Sequence, residues 1–518
     1  MKLSSIATDL VKLTAITIVA LMLGCIPWAY AVTPLEFGGK GDVVTLRDGV
    51  IGAGGASFRS YSATFTSADV GKAIVVTDAG IGGGALIAKI QALVSVHEVT
   101  LTTSAGTSVN NALTYYGTDD TAAIRSCVYK GTTKGGVCNI SDGVTFMVSN
   151  TSSMIAPFGA GNNPIQRGTI NGHGKIIFAP QGKLVGNDRL FYISSQETYP
   201  MKIAPGAIAM GATSFTAQDS SDAAKLSPGD WVIITERDST VKDHVYADWM
   251  EVARVDGAVV HTAKPFRMAF PNARPWGGPP TFWGLSFRKV GPITSNVEVH
   301  DITIIIPKVK DTHVIVGIAT RDTRGALIDH ITCQDASGNC FAGYMDQGLT
   351  IQNSSLNESV YTEVAAAVDT VISGNHVNEN TSALLLTGPP TSGGLEVDFG
   401  TGFSRVTDNI IGASRQVCIN VSPGVHDTLV KGNACGLVTF GSGASCIFSR
   451  GGYRLTITDN TCMGGTTGAA RGIDVADAPN LTAPMYSEGN RIASNKVRGF
   501  AKPYACEGRL RRDACDQH

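Results

Sequence analysis

The sequence predicts an all-β chain wound as a parallel solenoid, and three observations carry that reading. A short unit built around an asparagine recurs through the C-terminal half, companion strands lie between its copies, and convincing amphipathic helices are few. The units are VISGNHV at 371–377, VTDNII at 406–411, LVKGNAC at 429–435, TITDNTC at 456–462 and RIASNKV at 491–497. Their central residues Asn375, Asn409, Asn433, Asn460 and Asn495 are separated by 34, 24, 27 and 35 residues, as in a coil of constant core and variable loops. LEVDF at 395–399, QVCINV at 416–421, SCIFS at 445–449 and GIDVA at 472–476 fall between them, so each coil supplies at least two strands. In such a stack every strand pairs with its equivalent one coil away, alternate apolar residues fill the interior, and bend asparagines satisfy turn backbone or bond along the axis. An antiparallel sandwich uses the same short strands but explains the recurrent asparagine less well.

From the N-terminus, Lys2, Asp9 and Lys12 precede an apolar run from Leu13 to Ile26 and then Trp28-Ala29-Tyr30-Ala31. That order reads as an export signal over residues 1–31, cut after Ala31 in the small-x-small manner. Its apolar core is shorter than the roughly 20 residues that span a bilayer, so no membrane span is expected after its removal. The predicted location is secreted, either extracellular or periplasmic. Ten cysteines follow the signal, with no tight CxxC pair, which points to disulfides rather than a zinc ribbon. The local candidates are Cys127–Cys138, Cys333–Cys340 and Cys506–Cys515.

Residues 32–117 read as an N-terminal β module, in which FTSADVGKAIVV at 65–76 leads to VTLTT at 99–103. A similar pattern, FTAQDSSDAAKLSPGDWVIIT at 215–235 followed by VVHTA at 259–263, predicts a second module inserted at about 210–285. Asp119-Asp120-Thr121 opens the best short helix, with Ile124, Cys127 and Val128 on one side. The solenoid is expected over 118–500, with weaker copies at 168–178, 297–305, 326–334 and 349–356, and with a tail or cap at 501–518. One continuous stacked core accounts for the length without several globular domains.

Charge narrows the function. With 41 Lys plus Arg against 43 Asp plus Glu, the net charge is −2, which gives no basic field for nucleic acid. Gly52-Ala53-Gly54-Gly55 lacks the lysine and the strand–loop–helix setting of a phosphate loop, so nucleotide binding is rejected. The ten histidines form no HExxH or compact zinc cluster.

The entry helix at Asp119-Asp120-Thr121, NGHGKI at 171–176 and the asparagine-bearing coils together resemble the pectate-lyase-like, right-handed parallel β-helix superfamily. That group includes glycoside-hydrolase family 28-related proteins and phage tailspike depolymerases. The resemblance covers about residues 40–500 as architecture. It implies cleavage of a polysaccharide partner, with lyases, hydrolases, epimerases and noncatalytic binding proteins all represented on the fold. The chain departs from the polygalacturonase pattern: Gly172-His173-Gly174 comes too early, Cys333-Gln334-Asp335-Ala336 has no Asp-Asp doublet, and there is no clear Arg-Ile-Lys subsite.

Strand parity then locates candidate chemistry. With Leu395, Val397 and Phe399 inward, Glu396 and Asp398 face out; with Val364 inward, Glu363 does too. If Glu363 and Glu396 occupy equivalent strands of neighbouring coils, they form a carboxylate groove of the kind that hydrolyses glycosides, one carboxyl acting as acid and the other as nucleophile or base. Asp335 is expected at a turn beside this groove. Arg415 is a candidate for binding an acidic sugar, and Trp276 and Trp283, which flank Gly277-Gly278-Pro279-Pro280, for stacking on carbohydrate. His330 is a weaker candidate base. Asn150, Asn380 and Asn480 begin N-x-S/T motifs. Hydrolysis needs no cofactor. Elimination by a lyase would need a uronic-acid substrate, Ca²⁺ or Arg to neutralise its charge, and a base. A noncatalytic carbohydrate-binding or adhesion solenoid is the third reading.

Overall fold

The computed structural model describes residues 31–507 except 133–134, 151–154, 159–166, 182–187, 241–242, 278–282, 309–314, 337, 359–360, 380–393, 413–416, 422, 439–443 and 466–470. Apart from Ala31 the expected export signal lies outside the described residues, as do Arg415, Asn380 and the expected partner Cys515.

Three parallel sheets of 11, 10 and 10 strands run the length of the solenoid among the described residues. One coil shows the rule. Val417–Val421 lies in the second sheet, Leu429–Lys431 in the first and Ala434–Val438 in the third, and each pairs in parallel with its equivalent in the next coil. Alternation puts one apolar residue of each short first-sheet strand inward, so Ile328, Ile351, Ile372, Val406, Val430 and Ile457 stack as a continuous buried ladder. Burying each such side chain contributes about 1.5–3 kcal/mol.

The recurrent asparagines form a second ladder. The backbone N–H and side-chain amide of Asn409 both donate to Oδ1 of Asn433, at 3.1 and 2.9 Å. Asn375, Asn433 and Asn460 treat the next asparagine in the same way, ending on Asn495. Their burial leaves no water to satisfy these amides, which is why the sequence keeps this residue type at each bend.

Cys127–Cys138 and Cys333–Cys340 are disulfides, as the spacing suggested; Cys418–Cys435 and Cys446–Cys462 are two more, each joining the second sheet to the third within one coil. Cys506 is also disulfide-bonded.

The solenoid begins before the first module. Ala31–Val32 pairs with Val137–Asn139 in the first sheet, and Pro34–Phe37 packs on the helix Thr121–Thr132. A closed six-stranded barrel over 44–117 is thus inserted between the first strand and that helix. The barrel has its own core around Phe58, Phe65 and Ile74, and Ala73, Val75 and Tyr115 seat it against Met147, Ile177 and Ile305 of the third sheet.

The second module is a six-stranded antiparallel sheet over 201–290. Its core is built on Phe215, Phe266, Phe270 and Phe287. Its long strand Asp243–Asp256 lies across the ends of the second-sheet strands. Trp249, a structural tryptophan, donates its indole N–H to the carbonyl of Met345 at 3.0 Å. Gly400, with φ +75°, lies so close that a Cβ there would meet the backbone nitrogen of Tyr246 at 2.9 Å.

Candidate active site

The outer face of the second sheet carries the site. Register pairs Ala342 with Glu363, Glu363 with Glu396, and Glu396 with Asn420, so these four share one outward row. The two glutamates therefore occupy neighbouring rungs, with backbones roughly 4.8 Å apart. Parity put them there: Leu395 and Val397 are inside the coil and Val364 is with them. The Asn420 amide donates to the Glu396 carboxylate, and the Asn339 amide reaches Oε2 of Glu363 at 3.5 Å.

On the N-terminal side of this row the small side chains of Ala319 and Ala342 leave the floor low, and a cavity of about 560 Å³ opens above them. Glu363 lines it, and the inserted module forms the facing wall with Arg237, Asp243, His244 and Arg288. Tyr344 is two residues beyond Ala342 and so on the same outward face; its hydroxyl donates to Oδ1 of Asp243 at 3.1 Å, and the His244 backbone N–H donates to the same oxygen at 2.7 Å. Glu197 accepts from Arg288 at 2.7 Å and from Arg321 at 2.6 Å, and Arg321 also reaches Asp322 at 3.2 Å. Arg189 stacks on Tyr192, 4.5 Å from the ring centre.

Burial in this setting moves protons. The Glu363 carboxyl is pushed up to about 7, first by burial and then by the charges of Glu396 and Asp243. Asp243 is also raised by burial, but the His244 N–H, the Tyr344 hydroxyl and Arg237 oppose the rise. Burial, followed by the nearby arginines Arg288, Arg237 and Arg321, holds His244 well below the usual imidazole range, so it is neutral. Burial raises Tyr344, and Asp243 adds to the effect, so the phenol keeps the proton it donates. A carboxylic acid that stays protonated near neutrality, beside a carboxylate in a cavity, is the equipment of general acid–base chemistry.

The other sequence candidates fall elsewhere. Glu396, 7% exposed, stands behind Glu363 and does not line the cavity. Asp398, 4% exposed, accepts the Phe399 N–H at 3.0 Å and does not line the cavity. Asp335 is not at a turn: it lies in the strand Thr332–Ala336 of the third sheet, away from the second-sheet face that carries Glu363. His330 is an exposed bend residue with φ 51° whose Nδ1 meets Asp329 at 2.8 Å, on the first-sheet side of the coil rather than beside the cavity. Trp276 lies under the Lys202 ammonium at 5.6 Å and Trp283 under the Arg237 guanidinium at 4.8 Å, so both rings hold basic residues of the module and neither lines the cavity. Sequence reasoning missed Asp243, Tyr344 and the four arginines. The available signal was the density of charge over Glu236, Arg237, Asp238, Lys242 and Asp243 at the end of a strand-forming run.

One grouping of metal-ligand type occurs among the described residues, Cys418, Cys435 and Cys446, and these sulfurs are committed to disulfides.

No protein-family model and no curated protein matches the chain. Among solved structures it is similar to the Gp54 tailspike of Acinetobacter baumannii bacteriophage AP22 in complex with A. baumannii capsular saccharide, at 13% identity and a TM-score of 0.42, over 73% of this chain and 66% of that one. It is similar to the Pseudomonas phage phi297 tailspike gp61 at 12% identity and a TM-score of 0.40, over 75% and 67% of the two chains. A third likeness is to the Streptococcus pneumoniae surface protein and adhesin PfbA, at 9% identity and a TM-score of 0.32, over 75% and 96%. The chain thus spans just under two thirds of the first of these.

Proposed function

We propose that the chain is an exported polysaccharide-degrading enzyme that hydrolyses glycosidic bonds, with Glu363 as general acid. The observation that carries the reading is the Glu363 carboxyl, held protonated to about 7 at the wall of an open cavity. It has a proton to give to a departing sugar oxygen at neutral pH, which an ordinary surface glutamate does not. Burial keeps it protonated, and the charge of Glu396, one rung away, adds to the rise. Export is supported by disulfides in successive coils, which persist in oxidising compartments. No helix among the described residues is long and apolar enough to cross a membrane.

A second reading is favoured by the four guanidinium groups of Arg189, Arg237, Arg288 and Arg321 around the cavity. They suit the charge neutralisation that β-elimination from a uronic acid requires. The products separate the two. Incubation with a panel of neutral and acidic polysaccharides is expected to yield new reducing ends without ultraviolet absorption. An unsaturated uronide would establish the lyase, and tight binding without product would establish an adhesion or binding solenoid.

A further inference from the structure

Hydrolysis needs a second carboxylate besides Glu363, and two stand near it. Glu396 is on the same sheet, receives the Asn420 amide and is covered from the cavity. Asp243 is on the opposite wall and lines the same cavity as Glu363. Its carboxylate is aimed by two donors from different parts of the chain: the Tyr344 hydroxyl of the solenoid and the His244 N–H of the module. The strand that begins at Asp243 is fixed to the solenoid by the Trp249 indole on Met345 and by the close approach at Gly400. Positioning of this quality is what a reacting group requires and what a surface aspartate lacks.

We infer that Asp243, supplied by the inserted module, is the second catalytic carboxylate and activates the attacking water. This rests on the hydrolytic reading above. Asp243 takes a proton from water as the water oxygen bonds to the anomeric carbon. The bond from that carbon to the glycosidic oxygen breaks, and Glu363 gives its proton to the departing oxygen. One water is consumed, and proton exchange with solvent restores both groups. The local electrostatics separate the pair in the required sense: two carboxylates add to the rise at Glu363, whereas two hydrogen-bond donors and Arg237 oppose it at Asp243. Facing carboxylates with a water between them invert the anomeric centre, whereas a nucleophile on the neighbouring rung, Glu396, would retain it. Stereochemistry therefore reports which carboxylate acts. The assignment also gives the insertion a purpose, since the solenoid alone presents only one wall of the site.

The test is proton NMR of the first-formed anomer from the polysaccharide that the wild-type chain cleaves, together with kinetics of D243N and E396Q. The expected result is inversion. D243N is expected to lose at least about 100-fold in kcat, with KM changed only a few-fold and the low-pH limb of the rate profile abolished, while E396Q keeps substantial turnover. Retention of configuration, or a folded D243N with wild-type turnover and an unchanged pH profile, overturns the assignment and leaves hydrolysis standing. If the wild-type chain cleaves none of the panel, the hydrolytic reading falls and this assignment falls with it.

Discussion

The hydroxyl of Tyr344 donates to Oδ1 of Asp243 across 3.1 Å, joining the outer face of the solenoid to the first residue of the long inserted strand. The two residues are 101 positions apart in the chain, and no local pattern links them. The bond sets the orientation of Asp243 and with it one wall of the cavity. Tyr344→Phe removes the donor and leaves the ring against His244 and under Arg321. It is expected to lower kcat by about tenfold while costing about 1 kcal/mol of stability, the net worth of one such bond. Turnover and a urea titration on the same preparation check both parts.

Glu363 links activity and stability to pH with the same sign, because the protonated carboxyl is both the general acid and the form that the folded state favours. Its folded-state value of about 7 lies above the ordinary 4.5, so the folded state holds this proton more tightly than the unfolded chain. Its contribution to stability is full below about pH 4.5 and is lost as pH rises through about 7. Glu363→Gln removes that loss. The variant is expected to match wild type near pH 4 and to exceed it by up to roughly 3 kcal/mol near pH 8. Denaturant titrations at the two pH values test this, and equal stabilities at both would show that the carboxyl is not perturbed.

The asparagine ladder makes a prediction that is independent of chemistry. Asn433 donates its amide to the Val406 carbonyl and to Asn460 Oδ1, both at 2.9 Å, and accepts from Asn409. Asn433→Ala leaves several buried groups without partners and is expected to cost about 2–3 kcal/mol, read from the urea midpoint at unchanged slope.

Much of this fold was legible because a solenoid writes its period into the chain. The Ile and Val ladder, the bend asparagines and the outward parity of Glu363 and Glu396 are all local, repeating properties, and one coil predicts the next. The site was only half legible for the complementary reason. Glu363 was found by parity, but the wall that makes its face a cavity comes from an insertion whose docking depends on Trp249, Gly400 and Tyr344, contacts without a period. Asp335 went astray because the Asp-Ala-Ser-Gly run resembles a turn. The third-sheet strand Thr332–Ala336 nevertheless extends through Asp335, across a register shift between Cys333 and Ala336 in its pairing with the next coil. The surroundings of the aromatic loop were not legible either, because sequence does not show that Lys202 lies over Trp276 and Arg237 over Trp283.

The stacked disulfides of successive coils supply the next expectation. Cys418–Cys435 closes a separation of 17 residues inside the core. Its replacement by two alanines is expected to cost about 2–4 kcal/mol and to leave intact the cavity, whose nearest lining strand, that of Glu363, is two strands away in the sheet. Thermal unfolding and turnover measured together distinguish this from a functional role; a drop in kcat at a temperature where the variant is fully folded would refute it.

The most direct measurement of the central claim is product mass spectrometry on native polysaccharides, comparing the wild-type chain with folded Glu363→Gln. The account predicts that wild type releases shortened oligosaccharides each carrying one added water. It predicts that Glu363→Gln binds the same polymer but releases product at least about 100-fold more slowly. A Glu363→Gln chain that cleaves as fast as wild type would contradict it.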